Sequence, residues 1–133
     1  MIPKISTVKI KDYLKTVITE CQNWYIGQMD ENQEQAIAIY ANRRNLAPIS
    51  EFKKLQTYSY LPITLLLRWT KNYNKAETEA NRIYELLDCS SFTIDGFNCN
   101  INCLYEGPID LGADEKGVYK FSIELNLLYR KDG

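Results

Sequence analysis

The segment Val118–Arg130, near the end of the chain, constrains the fold most strongly. Apolar and polar residues alternate along it, and Leu128 is the single exception. This period of two is typical of a β-strand that packs one face against a core, because successive side chains point to opposite faces. The apolar face would consist of Tyr119, Phe121, Ile123, Leu125, Leu127 and Tyr129. The segment therefore predicts a long strand that is buried on one side.

Two other segments have helical periodicity. In Val8–Cys21, apolar residues recur at the spacing of one helix face, and the charged residues fall on the other faces. Asn74–Leu87 has a second stripe of this kind. Asn74 is the predicted N-cap of this helix, and Glu77 completes a box-like start. Both segments predict amphipathic helices.

Three further strand-like segments precede the second helix. Trp24–Gly27 and Ala36–Ala41 are separated by a polar turn and predict a hairpin. Tyr58–Trp69 alternates between apolar and polar residues, so it predicts a strand with one buried face. Pro62 lies inside that strand. Since proline has no N–H to donate, it indicates an edge position or a bulge.

The region after the second helix predicts more strand and a loop. Phe92–Tyr105 is interpreted as a strand pair that turns at Asp95-Gly96, or as one long bent strand. Glu106–Gly117 is interpreted as an acidic loop. The whole pattern predicts one α+β domain over residues 1–133, with a single mixed or antiparallel sheet of about 4–6 strands and two main helices packed on one face.

Composition argues against several functions. The net charge is −1 and there is no histidine, so strong phosphate binding and the commonest acid–base and metal chemistry are disfavoured. We therefore expect no enzyme activity, no catalytic or metal site and no cofactor. The acids Asp110 and Asp114 do not have the spacing of a calcium loop. The N-terminus lacks a signal peptide, and the longest apolar run is Leu65–Leu67, so no membrane association is expected.

The best candidates for an interaction site are two loops of opposite charge, the basic stretch Asn42–Leu55 and the acidic stretch Glu106–Gly117. Such charges usually form solvated surfaces, but on neighbouring copies they could also meet head to tail and close a ring. Tyrosines on the less apolar face of the third strand are further candidates, because tyrosine is enriched at interfaces. The candidate residues are Arg43, Arg44, Lys53, Lys54, Tyr58, Tyr60, Asp110, Asp114 and Glu115. The four cysteines are expected to be reduced thiols.

Several motifs in the chain resemble one protein family. They are Leu66-Leu67-Arg68-Trp69, Lys71-Asn72-Tyr73, a helix with Glu77, Glu79, Ala80 and Ile83-Tyr84, then Gly107-Pro108-Ile109-Asp110-Leu111-Gly112 and Asp114–Tyr119. With these motifs the sequence resembles the tail terminator, or minor capsid, proteins of long-tailed phages and prophages of Gram-positive bacteria. The resemblance extends over most of the chain from Trp24 onward.

The resemblance implies a sheet flanked by helices and a structural role. Proteins of this kind form a ring, commonly a hexamer, on the head-proximal end of the tail tube. The partners it implies are further copies of the chain, the tail tube protein and the head–tail connector protein. DNA would pass through the channel without specific binding. The protein would occupy the host cytoplasm during assembly and then the virion.

Two other classes of function remain open from the sequence. The basic stretch around residues 43–54 could serve a nucleic-acid-associated accessory protein. A small enzyme using carboxylates and tyrosine is the third possibility, and the absence of histidine weighs against it.

Overall fold

The computed structural model describes residues 5–42 and 59–131, and among them two helices and seven strands. The helices are α1 (Thr7–Val17) and α2 (Tyr73–Leu87). The strands are β1 (Trp24–Ile26), β2 (Ala36–Ala41), β3 (Ser59–Arg68), β4 (Ser91–Ile94), β5 (Phe97–Cys103), β6 (Ile109–Ala113) and β7 (Tyr119–Lys131). Residues 43–58, which include Arg43, Arg44, Lys53, Lys54 and Tyr58, lie outside the described part of the chain.

All seven strands belong to one mixed sheet, with the order β1-β2-β3-β7-β5-β4 and β6 also paired to β7. Each neighbouring pair is antiparallel except β1 and β2. The predicted α+β class is confirmed. The predicted number of strands was too low, because one strand lies in a segment that was interpreted as a loop.

That additional strand is β6. It pairs with the first part of β7, while β5 pairs with the second part, so β5 and β6 lie end to end along one side of β7. A register shift between Asp110 and Gly112 marks a bulge. The prediction of a loop over the whole of Glu106–Gly117 was wrong, because the thirteen residues of β7 extend beyond the seven residues of β5 and offer a further pairing edge.

The predicted β1–β2 hairpin was also wrong, since the two strands run parallel. Trp24 is in register with Ile37, and Ile26 with Ile39. A parallel pair needs a connection that carries the chain back to the starting end, usually over a dozen residues or more. Here residues 27–35 suffice, because β1 has only three residues and spans about 10 Å.

Pro62 lies in an internal strand without a bulge, but at the point where the neighbouring strand β2 ends. β3 lies between β2 and β7, and its register with β7 is continuous. The ladder with β2 ends at the pair Ala41–Ile63, and the Pro62 carbonyl accepts from the Asn42 N–H at 2.8 Å. In an antiparallel ladder the N–H and C=O of one residue point to the same side. The missing N–H of Pro62 therefore falls where β2 stops.

The helix ends differ slightly from the predicted ones. Asn72, not Asn74, is the N-cap of α2, and its side-chain oxygen accepts from the Lys75 N–H at 3.1 Å. The first helix ends at Val17, although the apolar stripe continues to Cys21, which is buried without being helical. Both residues near the start of α2 are asparagines, so residue type alone does not decide which one caps the helix.

Alternate residues of the strands and one face of each helix form a single apolar core. Its largest fully buried apolar side chains are Ile5, Ile10, Leu14, Ile18, Ile37, Ile39, Ile63, Leu65, Leu67, Ile83 and Leu87. All four cysteines are free thiols. Burial raises the pKa of Cys99 to about 11, and burial together with the nearby Asp88 carboxylate raises the pKa of Cys103 to about 12. These two thiols are therefore protonated near neutral pH.

Candidate protein-interaction site

Arg68, the last residue of β3, organises one end of the sheet. Its side chain is only 1% exposed. Its Nε donates to Asp114 Oδ2 at 2.7 Å, and its Nη1 donates to the carbonyls of Gln33 and Glu34. The planar guanidinium has donors in several directions, so one side chain can bind three separate groups. Arg68 thus joins the β1–β2 connection to the β6–β7 turn, and we call this region the Arg68 end.

Asp114 was predicted as an interface residue, but its carboxylate serves the fold. The side chain is 6% exposed. Besides Arg68, it accepts from the backbone N–H groups of Lys116 at 2.9 Å and Val118 at 3.1 Å. Burial alone would raise the pKa of Asp114, but these hydrogen bonds and the Arg68 charge outweigh it, and the pKa is lowered. The ionised carboxylate therefore shapes the turn that presents its neighbours.

Further contacts attach the same turn to the β1–β2 connection. The Glu31 carboxylate accepts from Lys120 Nζ at 2.7 Å, and the Glu31 carbonyl accepts from Lys116 Nζ at 2.9 Å. The side chains of Lys120 and Glu31 are partly exposed, so this ion pair contributes little to stability. These contacts still hold the β1–β2 connection and the β6–β7 turn side by side at the Arg68 end.

Strand β6 is attached to the start of α2 by a tyrosine. The Tyr73 hydroxyl lies 2.7 Å from Asp110 Oδ2 and 3.0 Å from Glu77 Oε2. Hydrogen bonds to Asp110 and then to Glu77 raise the pKa of Tyr73, because ionisation would place a third negative charge beside two carboxylates. Tyr73 is therefore a neutral hydrogen-bond donor, and it fixes the position of an exposed acid on β6.

Strand β6 also forms an exposed edge of the sheet beside these acids. Within the described residues it pairs with β7 alone. Leu111 on β6 is 50% exposed, and Asp110 and Glu115 are exposed on either side of it. An open edge can pair with another chain, while charges and a bulge restrict which chain fits. This edge is thus a surface suited to a specific protein partner.

A cleft of about 620 Å³ lies beside the Arg68 end. It is lined by Glu20, Glu34, Gln35, Trp69, Thr70, Lys75, Thr78 and Glu79. Two of its acids, Glu20 and Glu79, form ion pairs with Arg82 of α2. The cleft therefore combines an aromatic residue with an acidic rim, and no motif in the sequence had indicated it.

The predicted site residues that the structure describes fall at two separate places. Asp110, Asp114 and Glu115 lie together at the Arg68 end. Tyr60 is 57% exposed, pairs with Leu128 and lies eight positions from Arg68 along β3, or about 26 Å away. The segment that contains the four basic candidates begins and ends beside Asn42 and Ser59, the same end as Tyr60. We call this end of the sheet, where Asn42, Ser59 and Tyr60 lie, the Ser59 end.

The match to a known family decides what kind of protein carries this surface. A family model described as "Bacteriophage tail terminator protein" matches residues 6–131, almost the whole chain. The chain belongs to this family. The resemblance noted from the sequence is confirmed. No curated protein matches the chain.

As a member of the tail terminator family, the chain has a structural role in tail assembly and works with other phage proteins. Contact surfaces are then its functional sites. Within residues 5–42 and 59–131, no group of histidine, cysteine, aspartate or glutamate side chains could hold a metal ion. None of the helices in that part of the chain is long and apolar enough to cross a membrane.

Sequence reasoning did not single out Arg68 as part of a site. One signal was available, since the arginine ends a run of leucines and precedes a tryptophan. A charged residue in such surroundings is rarely buried without a partner. The pattern could have indicated a buried ion pair, but not which acid completes it.

Proposed function

We propose that this tail terminator family member caps the head-proximal end of the phage tail tube and joins it to the head connector. Several copies, most simply six, would form a ring on the tube. The family match over residues 6–131 carries this proposal. We also propose that residues 1–133 act as one domain, which the single core of both helices and the sheet supports. The function needs neither catalysis nor a cofactor or metal.

The separation of charge along the sheet supports self-assembly of a ring. Asp110 and Glu115 are exposed at the Arg68 end, where Asp114 positions their turn. Tyr60 is exposed at the Ser59 end, where the segment with Arg43, Arg44, Lys53, Lys54 and Tyr58 is attached. Contacts between unlike ends are heterologous, and such contacts close into rings when the rotation between copies permits.

The charge of the chain suits a channel that DNA traverses without being held. A net charge of −1 gives little non-specific attraction to phosphate. The partners we propose are further copies of the chain, the tail tube protein and the connector protein. The protein would assemble in the host cytoplasm and remain in the virion.

Deletion of the gene in the phage or prophage tests the proposed function. We expect tails of uncontrolled length that fail to join heads, because nothing stops growth of the tube. Electron microscopy of lysates measures tail length and the fraction of tails attached to heads. Supplying the wild-type chain in trans should restore both quantities. Tails of normal length attached to heads in the deletion strain would refute the proposal.

A further inference from the structure

We infer that the cleft beside Trp69 is the docking site for the basic segment, residues 43–58, of a neighbouring copy. This inference rests on the proposed self-assembly and names the two surfaces that meet. It assigns the cleft to a peptide segment of this same chain, rather than to a small molecule or to another protein.

The lining of the cleft suits a segment that is both basic and apolar. Trp69 lines the cleft although it is only 7% exposed, and the threonines Thr70 and Thr78 add aliphatic surface. Glu34 contributes a carboxylate at the rim, because Arg68 binds only its backbone carbonyl. The other lining acids, Glu20 and Glu79, share Arg82, and Lys75 is the one lining base. With Arg82 included, the cleft and its rim therefore carry a net charge of −1 beside a partly apolar surface.

The proposed occupant has the complementary composition. Residues 43–58 carry four basic side chains against the single acid Glu51, a net charge of +3. The rest of the chain is correspondingly acidic, since the whole molecule carries −1. Between the two basic pairs lie apolar residues that could contact the aromatic and aliphatic part of the cleft, namely Leu46, Pro48, Ile49 and Phe52. The charge and the apolar residues of the segment are therefore both complementary to the lining of the cleft.

Geometry favours a neighbouring copy over the same copy. The segment is attached at Asn42 and Ser59, and the ten residues of β3 separate Ser59 from Arg68 by about 30 Å. β2 runs from Ala36 at the Arg68 end towards Asn42, so the chain leaves β2 heading away from its own cleft. The cleft residue Gln35 lies seven positions before Asn42, about 23 Å along β2, so the segment would have to be extended over about 53 Å of a maximum of about 60 Å to enter its own cleft. The cleft of a second copy, placed end to end, carries no such restriction.

Disulfide trapping between two differently labelled copies tests the inference. One variant carries Thr78→Cys in the cleft, and the other carries Ser50→Cys in the basic segment. Both carry Cys89→Ser, since Cys89 is exposed. Mixing them at high protein concentration and low salt should give the mixed disulfide dimer. The matched control replaces Thr78→Cys by Thr93→Cys, an exposed threonine on β4. We expect several-fold more mixed dimer with Thr78→Cys, and equal yields would overturn the inference.

Charge reversal provides an independent readout. Glu34→Lys in the cleft should lower the yield of mixed dimer, because the basic segment then meets a like charge. Glu85→Lys makes the same change at an exposed position of α2 outside the cleft lining and should leave the yield unchanged. Lys53→Glu together with Lys54→Glu on the other copy should restore the yield with Glu34→Lys. Equal losses for Glu34→Lys and Glu85→Lys would also overturn the inference.

The same variants in the phage separate this inference from the proposed function. If Glu34→Lys phage build tails of normal length that join heads, the docking site is wrong while the tail role stands. If deletion of the whole gene leaves tails normal, the tail role itself fails. The expected result is that Glu34→Lys, but not Glu85→Lys, reduces the number of complete tails several-fold.

Discussion

Two turns beside the long strand β7 are built in different ways. The β4–β5 turn consists of Asp95 and Gly96, whose φ angles of 50° and 80° are both positive, as a two-residue type I′ turn requires. The β6–β7 turn depends on Asp114, whose carboxylate accepts from the backbone N–H groups of Lys116 and Val118 and from Arg68, 46 residues earlier in the chain. The first turn is therefore encoded locally, and the second needs the completed β3–β7 pairing.

This difference bears on function, because only the second turn belongs to the candidate interaction site. Arg68 also binds the carbonyls of Gln33 and Glu34, so the β6–β7 turn and the β1–β2 connection are held by one buried cation. A surface built in this way is positioned before any partner arrives, which lowers the cost of ordering it on binding. The four predictions below test whether the two turns differ as described.

The largest effect is expected from removal of Arg68. Arg68→Met leaves the Asp114 carboxylate buried without its partner, and we expect a loss of about 3–5 kcal/mol in the free energy of unfolding. Arg130→Met, at an exposed position of β7, is the matched control and should change stability by less than about 0.5 kcal/mol. Urea unfolding measures both. A loss below about 1 kcal/mol for Arg68→Met would show that the ion pair does not hold the turn.

Acid should weaken the β6–β7 turn specifically. Since folding lowers the pKa of Asp114, its contribution is complete above the ordinary carboxyl value near 3.8 and is lost as pH falls towards the lowered value. The difference in unfolding free energy between the wild type and Asp114→Asn should therefore be largest near neutral pH and shrink below about pH 4. Urea unfolding at a series of pH values measures it. A difference that stays constant down to pH 2 would contradict the assignment.

Glycine substitutions should affect the two turns equally. Gly96 and Gly117 have φ angles of 80° and 82°. Alanine at either position is expected to cost about 1–2 kcal/mol, because a Cβ is disfavoured in this backbone region. No atom lies within 4 Å of a Cβ placed on Gly117, so backbone strain alone sets the cost there. Thermal unfolding of Gly96→Ala and Gly117→Ala compares them, and asparagine at the same positions should cost less. A much larger loss at Gly117 would mean that the Arg68 end is more tightly coupled than we describe.

The smallest effect is expected at the exposed ion pair of the same end. Glu31→Gln removes the partner of Lys120, whose side chain is 21% exposed, and should cost less than about 1 kcal/mol. The loss should diminish in high salt because exposed charges are screened. Urea unfolding at low and high salt checks this. A salt-independent loss as large as that of Arg68→Met would remove the distinction between the buried and the exposed pair.

Local sequence patterns predicted much of the fold. The alternation in Ala36–Ala41 and Val118–Arg130 placed β2 and β7 to within a residue at each end, and the stripe in Asn74–Leu87 placed α2. The Asp95-Gly96 turn was one of the two alternatives that the sequence left open for Phe92–Tyr105. These features depend on contacts between near neighbours, or on which face of an element is apolar, and both can be deduced from spacing alone.

The direction of β1 and the existence of β6 could not be predicted in this way. A three-residue strand has too few side chains to indicate its partner, and β6 contains Gly112 and two exposed residues in a row, Asp110 and Leu111. Both strands form because a longer strand offers them an edge. Of the candidate site, the acids Asp110 and Glu115 were predicted, while the cleft at Trp69 was not, because it is formed by segments far apart in the sequence.

The sequence by itself determined the α+β class, the long closing strand and the tail terminator family. Only the tertiary structure decided that Asp114 is an internal support rather than a free surface acid. The reason is that a carboxylate acts as a surface charge or as a buried anchor according to what lies beside it. The partner here, Arg68, arrives from a distant strand. The same packing made the acidic loop predicted before β7 into a strand and a turn with fixed positions at one end of the sheet.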